Sequence, residues 1–427
     1  MFSSQELDVA EQEDSTIFVA KNFIEILKQP DISSNDAVFE DLVLECVKHL
    51  KIMCTKGPSF QKLIVNTTGM LQTLKDIISH DGGKFSSNAQ LKCFQLVANL
   101  CVKNPCTQEK IWNEMSDLVT LELQNKDFQF VNVASMIAYN MILGKQAALD
   151  VNATIKITLN LYQNFLKEPT SSLPDFLHIM MDHVLCRSVN SLEVFKKLDR
   201  VDQKVCLYYI HDFVEEEAND VINEQLLHYL TVEFKRTSDC ILKTVGDYVD
   251  KIDPQIVVSL LDIISIASSQ EKYIKILRND RSLFLNLGCL LQSLHKIGKA
   301  SETIFSPIQS LDALVPTSNA NGDFEKEISY SFKTKLVQAL ANLSHRNKKN
   351  QELAREMEIM LSIFECTNAD ARNPLIREWS ILAIRNLCED NLENQEIVRQ
   401  LTKVGDAANP VLKEMGLESG VLRIGKQ

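Results

Sequence analysis

Two stretches near the C-terminal end of the chain are near-copies of each other. Residues 342–352 read NLSHRNKKNQE and residues 386–396 read NLCEDNLENQE, an offset of 44 residues with no gap. Agreement runs outward on both sides, pairing Ala339 with Ala383, Leu340 with Ile384, Leu353 with Ile397 and Arg355 with Arg399. A third copy upstream, NLCVKNPCTQE at 99–109, keeps Asn99, Leu100, Asn104, Gln108 and Glu109 in register. Armadillo and HEAT units repeat every 40–47 residues or so. One such unit cannot bury its own apolar face, so neighbours must stack against it. The repeat therefore predicts an all-α chain, an armadillo/HEAT-like right-handed α-solenoid.

The shared letters have physical work to do. Asn104 is followed by Pro105. An Asn N-cap satisfies free amides and Pro at the first helical position lacks one, so the pair starts a helix. Asn347 and Asn391 hold the same place in the other copies, and Asn373-Pro374 makes a further start. One helix thus ends near Leu343 or Leu387, the chain turns, and the next begins at the Asn. A helix from about Pro374 to Cys388, placed on a wheel at ~100° per residue, has Ile376, Ile381, Ile384, Leu387 and Cys388 on one face. Trp379, Leu375, Leu382 and Ala383 fill most of the other, and only a stripe near Glu378 and Arg385 is polar. Such a helix is expected to be buried nearly all round, with Trp379, Ile381, Ile384, Leu387, Leu340 and Leu343 in the core. The interior Asn99, Asn342 and Asn386 carry two readings. They hydrogen-bond the adjoining unit, the commoner fate of a buried polar group, or they line a groove for a partner together with Glu378 and Arg385.

Composition agrees with long helices. The 427 residues include only 13 Gly and 10 Pro, too few for the turns of a sheet-rich fold. The formal net charge of -12 argues against nucleic acid, which calls for a basic stripe. The start is polar and acidic, unlike a secretory signal, and the most apolar stretch, 256–267, is too short to insert in a membrane. Eleven cysteines are scattered without a CxxC pair, which points to free thiols in a cytoplasmic protein. Five segments are expected: a polar tail over 1–15, an array over 16–305, a linker or loop over 306–327, a C-terminal module over 328–420 and a tail over 421–427.

Residues 373–396, NPLIREWSILAIRNLCEDNLENQE, and 332–352, FKTKLVQALANLSHRNKKNQE, closely resemble the C-terminal domain of the ataxin-10 family. CFQLVANLCVKNPCTQE at 93–109 resembles the family's first clear unit. Leu392 stands where family members usually have Pro. The resemblance implies a non-catalytic, cytosolic scaffold, with perinuclear, midbody or centrosomal locations. It also implies links to cytokinesis, neurite growth and neuronal survival, and as partners a G-protein β subunit and a glycosyltransferase. It leaves self-association open.

Chemical motifs are absent from the sequence. There is no phosphate-cradling Gly loop, HExxH, GxSxG or EF-hand spacing, so neither cofactor nor metal is expected and the chain is read as no enzyme. His178, Asp182 and Cys186, with His183 beside them, have zinc-type ligands. Residues eight apart on a straight helix lie about 12 Å apart, too far to share an ion. A nuclear-import-type cargo receptor is the alternative function. Those proteins place Trp four residues before each Asn of their inner helices, and here Gln95, Gln338 and Leu382 stand there. An enzyme with a dispersed site is a remote third. Far-UV circular dichroism of the chain is expected to be mostly helical, and substantial strand content would overturn the fold.

Overall fold

The structure is a computed structural model and describes residues 4–27, 37–79, 85–146, 148–167, 172–216, 220–243, 253–300, 302–308, 328–404 and 421–424. The chain divides into two compact units. The first comprises 1–185 with 196–205, and the second 186–195 with 206–427. This differs from the expected division at 306–327, most of which (309–327) lies outside the described residues.

The first unit contains α1 (Ser4–Leu27), α2 (Ala37–Cys54), α3 (Pro58–Asn66), α4 (Met70–Ile78), α5 (Ser87–Leu100), α6 (Pro105–Glu122), α7 (Phe128–Leu143), α8 (Val151–Lys167) and α9 (Asp175–Met181). Helices α2, α5, α7 and α9 each pack on the next, forming the inner layer, while α3 and α4 pack on α6 outside them. The expected tail over 1–15 is instead the start of α1, which begins at Ser4. Glu, Gln, Leu and Ala there are strong helix formers despite their polarity as a group. The core runs through Phe23, Val47, Phe94, Ile111, Phe130 and Ile137, all nearly inaccessible. The short helix α10 (Ser191–Lys197) and the longer α11 (Arg200–Glu215) lie along the stretch where the chain passes between the units.

The second unit repeats the scheme with α12 (Glu224–Thr237), α13 (Cys240–Lys243), α14 (Pro254–Ser269), α15 (Glu271–Leu277), α16 (Arg281–Ala300), α17 (Phe332–Ser344), α18 (Lys348–Glu356), α19 (Ile359–Glu365), α20 (Ile376–Cys388) and α21 (Leu392–Gln400). Here α12, α14, α17 and α20 are the inner layer. Each unit is thus an armadillo/HEAT-like stack. Helix α16 crosses α19 closely enough that a Cβ on Gly288 would lie 2.2 Å from Ile359 Cδ1. The module expected over 328–420 is continuous with α12–α16 rather than separate. Lys333, almost fully buried, donates to the Phe305 carbonyl, and Arg372 donates to the Ser306 carbonyl at 2.9 Å. The Ile308 amide donates to Asp370 at 3.1 Å. These bonds fasten the start of the expected linker onto α17 and the turn before α20. Burial lowers the Lys333 pKa, and nearby Asp370 opposes the shift. The tail expected over 421–427 holds a strand: β2 (Val421–Ile424) pairs antiparallel with β1 (Leu401–Val404), Leu401 opposite Ile424.

A polar ladder joins the units of each stack. Gln61 Nε2 donates to the Asn99 and Val102 carbonyls at 3.0 and 3.2 Å. Asn104 Nδ2 returns a bond to Gln61 Oε1 at 2.9 Å and reaches the Pro58 carbonyl at 3.1 Å. One repeat on, Gln146 Nε2 contacts Gln108 Oε1 and the Pro105 carbonyl, both at 3.2 Å. In the second unit Gln351 Nε2 donates to the Asn386 and Glu389 carbonyls at 2.9 and 3.2 Å, and Asn391 Nδ2 returns a bond at 3.2 Å. The residue before each returning side chain is left-handed: Lys103, Lys145 and Asp390 have φ of 52°, 53° and 51°, and Arg346, before Asn347, has 49°. Only a few per cent of non-Gly residues adopt positive φ, so its recurrence at one repeat position marks a turn held by its surroundings.

Gln351 is almost fully buried, so Gln351→Leu leaves several polar groups unpaired. At about 1–3 kcal/mol for each orphaned buried group, a loss of about 2–4 kcal/mol is expected in urea unfolding followed by circular dichroism. Ile384→Ala empties a site that is 2% exposed and is expected to cost about 2–5 kcal/mol. A neutral Gln351→Leu would show that the ladder does not hold the stack.

Candidate functional site

The second unit carries an open cleft of 630 Å³ between the C-terminal ends of its inner helices. The end of α14 and the α15 helix supply Ser268, Glu271, Ile274 and Arg278. The end of α17 supplies Asn342, His345 and Arg346, and α20 supplies Leu382, Arg385, Asn386 and Glu389. Of the five residues expected to form a groove, the structure brings Asn342, Arg385 and Asn386 together here. Glu378 is exposed on the first turn of α20 outside this lining, and Asn99 belongs to the first unit.

The two cleft asparagines have structural duties. Asn342 Nδ2 donates to Ser268 Oγ on α14 at 3.0 Å, and Asn386 Nδ2 donates to the Ala341 carbonyl on α17 at 2.9 Å. Each therefore spans to the preceding inner helix, and Asn386 is only 7% exposed. In the first unit the Asn99 carbonyl accepts from Gln61. The charges sit above this floor. Glu389 is shared between His345, at 3.3 Å, and Arg346, at 3.7 Å. Arg278 donates to the His345 carbonyl at 2.6 Å, while its Nε is shut from solvent without a hydrogen-bond partner among the described residues. Arg385 is exposed and pairs with no described residue.

Helix α20 is less buried than the wheel suggests. Ile376, Ser380, Ala383, Ile384 and Leu387 form one buried stripe, and Ser380 fits there because its hydroxyl donates to the Ile376 carbonyl at 2.7 Å. Trp379, Ile381, Leu382 and Cys388 are half-buried. Trp379 and Ile381 are thus not core residues as expected, because no further inner helix stacks beyond α20 among the described residues. Leu340, Leu343, Ile384 and Leu387 are core. Leu375 is 63% exposed and left-handed, and α20 begins only at Ile376.

The expected caps divide. Asn347 and Asn391 accept from the Asn350 and Asn394 amides at 3.4 and 3.2 Å and cap α18 and α21. The Asn104 side chain does not cap α6; it serves the ladder. Asn373 caps a different helix from the one expected. Its Oδ1 accepts from the Lys333 amide at 2.9 Å, at the start of α17. Gln61, Gln108 and Gln351 were missed as functional positions in the stack, although the motif's three copies all carry the Gln, as Gln108, Gln351 and Gln395.

His178 Nδ1 and Asp182 Oδ2 pair at 3.3 Å. Ligand-type atoms converge elsewhere, at His211, Asp212 and Glu215, within 4.8 Å of one another. Burial works against charge on His211, but its hydrogen bond to Asp212 and the Asp262 and Glu215 carboxylates outweigh this, and its pKa is raised. Asp262 is raised by burial, opposed by Lys335, whose Nζ lies 3.7 Å away. All eleven cysteines are free thiols, and burial pushes Cys54, Cys93 and Cys366 up to about 12. Such thiols are poor nucleophiles. No helix among the described residues is long and apolar enough to cross a membrane.

Comparison with known proteins places this geometry. Residues 332–427 match the family model described as the spinocerebellar ataxia type 10 protein domain. Ataxin-10 of Bos taurus is 25% identical over 388 residues, covering 88% of this chain and 79% of that protein. The ataxin-10 homolog of Dictyostelium discoideum is 47% identical over 94 residues, covering 22% of this chain and 15% of that protein. Among solved structures, a designed armadillo repeat protein in complex with the peptide (KR)4 aligns over 86% of this chain and 98% of that chain, at 10% identity and a TM-score of 0.24. With its repeat motif, its stacked helices and relatives that align over most of its length, this chain is similar to the ataxin-10 proteins, and its residues 332–427 match their C-terminal domain.

Proposed function

We propose that the chain is a non-catalytic scaffold that binds partner proteins through the cleft formed by α14, α15, α17 and α20. The carrying observation is Arg385, a cation exposed in a concave site and paired with no described residue. Arg is favoured at protein interfaces because its planar fork makes several directed bonds at once. The family and the helical-stack fold are of the scaffold kind rather than the enzymatic kind, and stacked helical repeats offer extended concave surfaces without needing a deep pocket.

The family likeness extends this reading to regulation of cytokinesis and to neurite growth and neuronal survival. A G-protein β subunit and a glycosyltransferase are the partners to try first, in the cytosol and at perinuclear, midbody or centrosomal sites. Self-association belongs to the same proposal. Nuclear-import cargo recognition is less well supported. Basic cargo calls for acidic groove walls, whereas Arg278, Arg346 and Arg385 outnumber Glu271 and Glu389 along this cleft.

Affinity purification of the intact chain, of Arg385→Glu and of Glu378→Lys tests the assignment. Arg385→Glu is expected to lose a defined subset of partners and Glu378→Lys to keep it. Arg385→Ala is expected to alter stability by less than about 0.5 kcal/mol, as exposed substitutions usually do. An unchanged partner set with Arg385→Glu would overturn the placement of the site.

A further inference from the structure

We infer that this cleft takes an extended, carboxylate-rich segment of a partner protein. The inference rests on the scaffold reading and names the chemistry of what is bound. Three observations carry it.

The first is local charge. The chain as a whole carries -12, yet three Arg and two Glu line the cleft. Glu389 is already shared between His345 and Arg346, and Glu271 offsets one more charge, so an excess of one positive charge is left on Arg385 and Arg278. A positive site on a chain of net negative charge attracts an acidic segment that the net charge repels. Placing unlike charges together at the site and like charges around it confers specificity more than raw affinity.

The second is the state of the donors. Arg385 has no described partner. Arg278 Nε is removed from solvent without an acceptor among the described residues, and an unpaired buried donor costs about 1–3 kcal/mol. An incoming carboxylate is the natural acceptor for Arg385, which lies open to solvent, because a guanidinium binds carboxylate with two parallel charge-assisted bonds. The neutral amides of Asn342 and Asn386, by contrast, donate to Ser268 and Ala341. Recognition at this cleft therefore falls to the charged rim.

The third is shape. The lining residues come from the ends of three successive inner helices and the short helix beside them. Packed helices lie about 8–10 Å apart, about three residues of extended chain per step. A segment crossing from α14 to α20 spans about six or seven residues. Nucleic acid fits less well, because its phosphate spacing calls for a longer and uninterrupted basic stripe, and here Glu271 and Glu389 interrupt the arginines.

Fluorescence anisotropy of the full chain with a fluorescein-labelled peptide of alternating Glu and Ser, long enough to cross the cleft, tests the inference. The Lys/Ser counterpart and labelled oligo(U) serve as competitors of different chemistry. The Glu/Ser peptide is expected to bind saturably and to weaken as salt is raised. Arg385→Glu, which replaces attraction by repulsion, is expected to weaken it about tenfold or more, and Arg385→Lys, which keeps the charge but loses the two-pronged contact, to weaken it by less than Arg385→Glu does. Melting curves of both variants establish that they fold. No binding of the Glu/Ser peptide, equal binding of the Lys/Ser peptide or of oligo(U), or indifference to Arg385→Glu would each overturn it. If the peptide fails while Arg385→Glu still strips partners from the intact chain, the acidic chemistry is wrong and the cleft stands as the site. If both are indifferent, both readings fall.

Discussion

Stacked helices can share a core only if their ends are closed, and the ends are where this molecule uses its conserved-looking letters. The last four carbonyls of a helix have no partner within it. Here they are met from outside. Asn350 Nδ2 donates to the Leu343 carbonyl at 3.0 Å, Asn394 Nδ2 to the Leu387 carbonyl at 2.8 Å and Thr107 Oγ1 to the Leu100 carbonyl at 2.5 Å. All three lie seven residues after their acceptors, in the first turn of the following helix. Of the Gln one position later, Gln108 and Gln395 donate back to the Cys101 and Cys388 carbonyls at 2.7 and 2.9 Å, while Gln351 reaches the neighbouring repeat at the Asn386 carbonyl. One short motif thus closes a helix, turns the chain and ties two repeats together. Because these bonds are buried, each is expensive to leave unmade, and the stack has one register.

That register decides which faces are buried. Helix α17 lies between α14 and α20 and is buried on both flanks, with Leu336, Leu340 and Leu343 inaccessible. Helix α20 has α17 on one side only, and its opposite side leaves Trp379, Ile381 and Leu382 half-covered. The same motif in consecutive repeats gives one helix that is buried on both flanks and one with a larger usable surface. Leu382 and Arg385 belong to that surface and to the cleft.

Much of this was legible in the letters. The gap-free offset between 342–352 and 386–396 announces stacked helical repeats, and the ends near Leu343 and Leu387 follow from the caps at Asn347 and Asn391. Exposure of Arg385 follows from its place on the wheel. What escaped has a common cause, namely bonds between residues far apart in sequence. Asn373-Pro374 looks like a helix start, yet Asn373 caps α17, some forty residues earlier in the chain. The wheel shows that α20 is apolar on both sides but cannot show that only one side finds a neighbour. Gln61 escaped because its copy of the motif begins with Gly57-Pro58 instead of Asn-Pro. The passage between units at 186–205 escaped because helices continue through it, without the Gly, Pro or polar run that marks a linker. The segment 306–308 reads as loop because nothing nearby shows that Arg372 and Asp370 will hold it.

The division of labour between neutral and charged groups follows from their desolvation costs. Burying a neutral amide is tolerable once its bonds are made, whereas burying an unpaired charge is not. The stack accordingly places Gln and Asn between repeats and leaves most of its charges at the rim, half in water. Asn342 and Asn386 cannot be spared for a ligand without opening the contact of α17 with α14 or of α20 with α17. Arg385 can be spared, since it holds no described residue. A partner that engages the rim therefore gains charge-assisted bonds without disturbing the ladder, and the two can change independently. Substitution of a ladder residue alters how the repeats are held, while substitution at Arg385 alters what they hold.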